Sequence, residues 1–286
     1  MTARICKPRF LSRGRVRALL PLAWLALLVP QAVYAESLHP WLDRRVAVFV
    51  GAMDFSVDAT LAKWTEGEEI DYVNLARLGV PESDTDLWAQ LSARLGERWR
   101  IGMDYFTIDV AGGRQVNFDF DFGDLVVPVG ASVDASLGVD FYVLSISYAF
   151  YRSDRLELGA GLGVHGVDLE YDMFAEVRAG ALVRALGEEQ DEFLAPLPNA
   201  ALYATYAFSP RLLGQLQAGW ISLSYDEYDG ELLALHAQLA YLLTRRTSLG
   251  LGYTFFDLEV ERDRGTRRDY YDLDLQGPRV FLSVAF

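Results

Sequence analysis

The chain has 286 residues, with 26 lysines and arginines against 40 aspartates and glutamates, so it carries a formal net charge of −14. About half of its residues are apolar, which excludes a disordered chain. The acidic balance argues against nucleic acid as a partner, because that needs basic patches. Past the N-terminus no stretch stays apolar for the roughly eighteen residues a spanning helix needs, which excludes a helical membrane protein.

Residues 1–35 read as a secretory signal. Arg4, Lys7, Arg9, Arg13, Arg15 and Arg17 form a basic start, 18–29 an apolar core, and Val33-Tyr34-Ala35 offers small residues for cleavage before Glu36. Cleavage would remove six basic residues and the single cysteine, Cys6, so the expected mature domain, 36–286, carries a formal charge of −20 and no thiol chemistry. Cys6 lies before the apolar core, which does not fit a lipoprotein anchor.

After a short entry through His39, Pro40 and Trp41, the sequence alternates between strand-like runs and turns. The predicted strands are 45–61, 85–95, 98–111, 132–151, 155–172, 197–208, 211–225, 231–243, 247–261 and 269–286. Four tight joints, at 93–99, 150–156, 208–212 and 243–249, share a pattern: an apolar strand end, a few turn formers with arginine, then a new alternating strand. In 156–165, Leu156, Leu158, Ala160, Leu162 and Val164 alternate with Glu157, Gly159, Gly161, Gly163 and His165. The pattern predicts ten strands, or eight if the weak hairpin 211–243 is misread.

The period of two places one apolar face outward and a mixed, small and polar face inward, the reverse of a dry core. Inward candidates are Arg94, Arg100, Asp104, Glu157, His165, His236 and Arg279, together with Trp88, Gln90, Ser92, Gln215, Gln217 and Gln238. Aromatic residues gather near strand ends: Trp99, Tyr148, Phe150, Tyr206, Phe208, Tyr241 and Phe286 at the short turns, and Tyr105, Trp220, Tyr253 and Phe255 at the other end. The connections 62–84, 112–131 and 173–196 are long, and the third has helix formers that predict a short helix within 175–188.

The last strand ends in Val280, Leu282, Val284 and Phe286 at every second position. A terminal Phe preceded by such alternation resembles the closing strand of bacterial outer-membrane β-barrels, the segment their assembly machinery reads. The resemblance implies an all-β fold, a transmembrane antiparallel up-and-down barrel in the outer membrane. It also implies short turns in the periplasm and long loops outside, with outer-membrane lipids, lipopolysaccharide and the barrel-assembly machinery as partners. It names no subfamily.

Two functions stay open. The first is a barrel that serves envelope integrity or surface contact through long acidic loops, for an extracellular ligand the sequence does not name. The second is a narrow channel for small cationic solutes, since the acidic runs at 66–71, 188–192 and 226–231 would surround its mouth. An outer-membrane protease or lipid-modifying enzyme comes third. Omptin-type proteases share the ten-strand count, but none of their motifs is present. His165 and His236, with Asp104 or Asp168, are the only candidates for a base and its orienting carboxylate. No catalytic site, metal site or cofactor is expected: no acidic run has calcium-loop spacing. Arg98, Arg152, Arg155, Arg211, Arg245 and Arg246 are candidates to hold phosphates of the inner leaflet. Arg262, Arg264, Arg267 and Arg268 could meet lipopolysaccharide phosphate or local carboxylates.

Overall fold

A computed structural model describes residues 39, 41–65, 70–179, 182–225 and 227–286. The proposed signal, 1–35, lies outside the described residues, as do most of the acidic run at 66–71 and Asp226. Ten strands form the wall: β1 (Val46–Thr65), β3 (Ser83–Leu95), β4 (Trp99–Gln115), β7 (Ser132–Arg152), β8 (Leu156–Ala179), β9 (Leu182–Ser209), β10 (Leu212–Tyr225), β11 (Tyr228–Leu242), β12 (Thr247–Asp263) and β13 (Arg267–Ala285). Each pairs antiparallel with its neighbour along the chain, and β13 pairs back onto β1, from Ala47 opposite Ala285 to Thr65 opposite Arg267. The sheet therefore closes without an edge, which a wall in lipid requires. The doubtful hairpin is real: β10 and β11 pair continuously from Leu212–Tyr241 to Tyr225–Tyr228. Ten strands stand and eight do not.

Side-chain parity holds along the strands except at bulges such as Ala149/Tyr151 of β7, but the character of the two faces changes. On β12, Leu249, Leu251 and Tyr253 point outward, while Ser248, Gly250, Gly252 and Thr254 point in. Past Phe255 the pattern inverts: Phe256, Leu258 and Val260 are buried inside, and Asp257, Glu259 and Glu261 lie on the outer face. On β7, Tyr142, Leu144, Ile146 and Tyr148 face out, whereas the buried inward run is Val133, Ala135, Leu137, Val139 and Phe141. The same inversion occurs at Ala52/Asp54 of β1, Tyr105/Thr107 of β4, Val164/Asp168 of β8 and Gln276/Asp274 of β13. The outside solvent changes there from hydrocarbon to water. Below it, apolar side chains belong on the outside; above it, they belong inside.

This corrects the expectation of a mixed, polar interior throughout. The periplasmic half of the lumen fits it; the outer half is a dry core. Phe55 stacks on Phe106 (5.8 Å between ring centres), Phe106 on Phe141 (4.4 Å), and Phe256 meets Phe141 edge-on (5.0 Å). Exposed aromatics mark both boundaries of the apolar band. Tyr105, Tyr142, Trp220 and Tyr253 ring the outer one, and Trp99, Tyr148, Phe150, Tyr206, Tyr241 and Phe286 the inner one. Phe208 and Phe255 are only half-buried beside them.

Two small insertions cap the outer end. A one-turn 3-10 helix (Leu75–Leu78) follows β2 (Val73–Asn74). Asn74 accepts a hydrogen bond from the Ala76 N–H, and Gly79 at φ 92° ends the turn with Leu75 and Leu78 buried. The hairpin of β5 (Phe120–Phe122) and β6 (Leu125–Val127) turns at Gly123, φ 60°, and buries Phe120, Phe122, Leu125 and Val127. The alternation of Phe and Asp at 118–122 puts Phe120 and Phe122 on the face that packs onto the core. No helix forms among the described residues of 175–188, where one was expected: 156–179 and 182–209 are the two longest strands of the barrel. Antiparallel pairing of the two strands, from Leu156 opposite Tyr206 to Ala179 opposite Leu182, supplies the backbone hydrogen bonds that a helix would otherwise make.

Candidate functional site

The periplasmic half of the lumen holds most of the inward polar side chains, with Lys63, Glu189 and Asp269 buried at the outer end. At its centre is Glu157, fully buried. Its carboxylate meets Arg94 Nη2 at 2.7 Å, Arg100 Nε at 2.9 Å and Arg152 Nε at 3.4 Å, and accepts a hydrogen bond from the Tyr203 hydroxyl at 3.0 Å. Tyr203 lies flat against Gly159, where a Cβ would overlap its ring. In the same way Gly250 makes room for Phe281. Gly159 and Gly250 thus receive bulky rings from neighbouring strands.

Above this cluster is a cavity of about 40 Å3 whose walls include Gln90, Asp104, His165, Asn199, His236 and Arg279. Arg279 lies over the Trp88 ring at 4.2 Å and donates to Gln238 Oε1 at 2.7 Å. His236 Nδ1 pairs with Thr254 Oγ1 at 3.2 Å, while His165 Nδ1 has no hydrogen-bond partner. A second cavity of about 40 Å3, below the first, shares Gln90 and Gln215 with it and continues to Arg44 and Arg45 at the periplasmic end. The two cavities therefore share walls at Gln90 and Gln215, and Phe106 and Phe256 are among the residues that line the upper one.

All seven sequence-predicted lumen residues face inward, and the structure sorts them into two groups. Arg94, Arg100 and Glu157 belong to the lower ion cluster; Asp104, His165, His236 and Arg279 line the upper cavity. Asp168 is on the outer face of β8, opposite in direction to His165, so that pairing does not form. Among the described residues no group of three or more His, Cys, Asp or Glu side chains could hold a metal ion. Arg152 turns inward to Glu157 and the Leu42 carbonyl (2.7 Å), so it does not reach the inner leaflet. Arg211, Arg245 and Arg246 are exposed on the turns. The four arginines of the last outer loop all meet carboxylates: Arg262 with Glu227, Arg264 with Asp269, Arg267 with Glu189 and Arg268 with Asp263.

The chain's own entry segment packs against part of the periplasmic end. Trp41 meets Phe49 edge-on (6.0 Å), Leu42 is fully buried, and the His39 N–H donates to the Asp154 carbonyl. Burial holds His39 below its ordinary pKa, so its Nδ1 is free to accept from the Trp41 N–H at 3.3 Å. At the outer end, Glu189 of β9 clamps to Lys63 of β1 (2.5 Å) and Arg267 of β13 (2.6 Å), tying the tall β8–β9 hairpin across the mouth.

The outer wall carries a feature that reading strands one at a time missed. Just above the outer aromatic ring, carboxylates face each other across neighbouring strands: Asp140 and Asp168, Glu231 and Glu259, Asp257 and Asp274, Glu259 and Asp272, Asp58 and Asp274. The acidity is not confined to loops but forms a belt on the strands themselves.

No family model matches the chain, and no curated protein matches it in sequence. Among solved structures it is similar to the outer-membrane protease OmpT of Escherichia coli, at 9% identity and a TM-score of 0.56, over 89% of this chain and 100% of that one. Weaker likenesses are to the toluene transporter TodX of Pseudomonas putida (10% identity, TM-score 0.34, 90% and 96%) and to OprG of Pseudomonas aeruginosa (14%, 0.34, 85% and 97%). A closed antiparallel ring with an apolar outer band, two aromatic girdles and this fold likeness defines an integral β-barrel of the bacterial outer membrane. OmpT is a protease, but a likeness at 9% identity shows the fold alone and leaves the activity of this chain open.

Proposed function

We propose that this barrel is a closed wall element of the outer membrane, serving envelope integrity and surface contact and not solute passage. One observation carries the reading: the outer half of the lumen is filled by buried apolar side chains from most of the wall strands, and the β5–β6 hairpin and the 3-10 turn are packed over them. A hydrated cation would have to displace that core, losing its hydration shell without gaining ligands. Purified barrel inserted in a planar bilayer is expected to give no reproducible conductance steps. Steps with cation preference that fade at high salt would instead establish the narrow channel.

The acidic belt supports the contact half of the reading. Like charges directly opposite one another on paired strands destabilise a sheet, and this belt stands at the height of the phosphorylated headgroups of lipopolysaccharide. Divalent cations bound between the two sets of anions would offset both. Accordingly, EDTA should lower the unfolding midpoint of the barrel in lipopolysaccharide-containing bilayers, with Mg2+ restoring it, and Asp257→Asn with Asp274→Asn should blunt the response. An EDTA effect of equal size in that double variant would count against a belt role.

A further inference from the structure

The lower cavity is lined on its polar side by Arg44, Arg45, Arg94, Arg100, Gln90 and Ser92. Its cationic groups outnumber its anionic ones. Together with Arg152, five guanidinium groups surround this end of the lumen, and they contact two carboxylates. One is Glu157; the other is Asp43, exposed and 3.8 Å from Arg152. Arg94, whose side chain is 4% exposed, is fixed from two sides, by Glu157 and by the Glu97 carbonyl at 2.8 Å. Its Nε nevertheless has no hydrogen-bond partner. Arg44 is held at the rim by donating to the Arg245 carbonyl at 2.7 Å. Arg45 is exposed beside it, so the cavity is reached from the periplasmic side.

A buried surplus of cations with an unspent donor is costly unless an anion completes it. Guanidinium groups held rigidly in place favour a tetrahedral oxyanion, which accepts forked hydrogen bonds from several directions. We propose that this cavity is a binding site for a phosphate-type oxyanion taken from the periplasmic side. The ligand is either free inorganic phosphate or the phosphate of a phospholipid headgroup reaching round the rim. Arg44 and Arg45 capture the anion, and Arg94 and Arg100, positioned by Glu157, receive it. The site is distinct from the outer belt in sign, location and ligand.

The test uses the whole barrel in a non-ionic detergent, following thermal unfolding by tryptophan fluorescence. A ligand that binds only the folded state raises the midpoint in a saturable way. Sodium phosphate should do so beyond sodium chloride at matched ionic strength if the ligand is the free anion. If only the headgroup fits, short-chain phosphatidylglycerol should act where phosphatidylcholine and inorganic phosphate do not. In either case Arg45→Ala and, separately, Arg44→Ala should weaken half-saturation at least tenfold. Arg211→Ala, on an exposed turn away from the cavity, should leave it unchanged. Reading the ligand-dependent shift separates binding from any change in basal stability. No saturable response to either ligand, or the same response in the Arg44 and Arg45 variants, would overturn the site.

Discussion

Glu157→Gln should destabilise the barrel by about 3–5 kcal/mol, the usual cost of removing one member of a buried ion cluster. The carboxylate is fully buried and serves three guanidinium groups and a tyrosine hydroxyl. A glutamine there keeps one acceptor oxygen, but it turns two poorly exposed arginines, Arg94 and Arg100, into uncompensated cations. The loss should appear in reversible urea unfolding from lipid bilayers as a lower midpoint with an unchanged slope, since the native surface is preserved. A Tyr203→Phe variant, which removes only a neutral donor, should cost about 1 kcal/mol. Equal costs for the two would mean that the cluster acts through packing and not through charge. The same experiment bears on assembly, because Arg152 links Glu157 to the Leu42 carbonyl and so couples the cluster to the entry segment packed at the periplasmic end.

Much of this organisation was legible in the sequence, for a physical reason: in a barrel wall a period of two fixes which side every residue faces. That parity placed Arg94, Arg100, Asp104, Glu157, His165, His236 and Arg279 inside, and Val280, Leu282, Val284 and Phe286 against lipid, before any contact was known. Contacts between distant strands were not legible. Arg94 and Glu157 are 63 positions apart, and nothing local indicates that they meet. The length of the outer strands was also missed. Residues 173–196 read as loop because a wall strand beyond the bilayer inverts, with polar side chains outward and apolar ones inward, as on β12. That inversion was itself a usable signal. On β13 the apolar positions move from Val280, Leu282 and Val284 to Leu275, Leu273 and Tyr271, from even to odd, where the strand leaves the bilayer. An alternation that keeps its period but changes its phase marks a strand crossing from one solvent into another, not its end. The like-charge pairs of the outer belt follow from register, which alternation alone does not supply.

Phe141→Ala should cost about 3–5 kcal/mol, whereas Leu251→Ala, a large apolar residue on the lipid face, should cost only about 1–2 kcal/mol. The difference comes from what fills the space left behind. Leu251 is 63% exposed to the surrounding phase, so lipid or detergent moves in and only the transfer energy of the lost methyl groups disappears. Phe141 is fully buried between Phe106 and Phe256, in a core closed by backbone on all sides, so its removal leaves a cavity that neighbouring rings cannot collapse into without breaking their own contacts. Urea midpoints of the two variants in the same bilayer would show the contrast. Despite its lost stability, the Phe141 variant should remain silent in a planar bilayer. Phe55, Ile108, Val139, Leu258 and Leu275 still fill the cross-section around the gap, and an apolar void of that size stays dry. If the variant instead unfolds no more easily than wild type and conducts, the outer half of the lumen is a gate and not a core, and passage of solutes becomes the function to pursue.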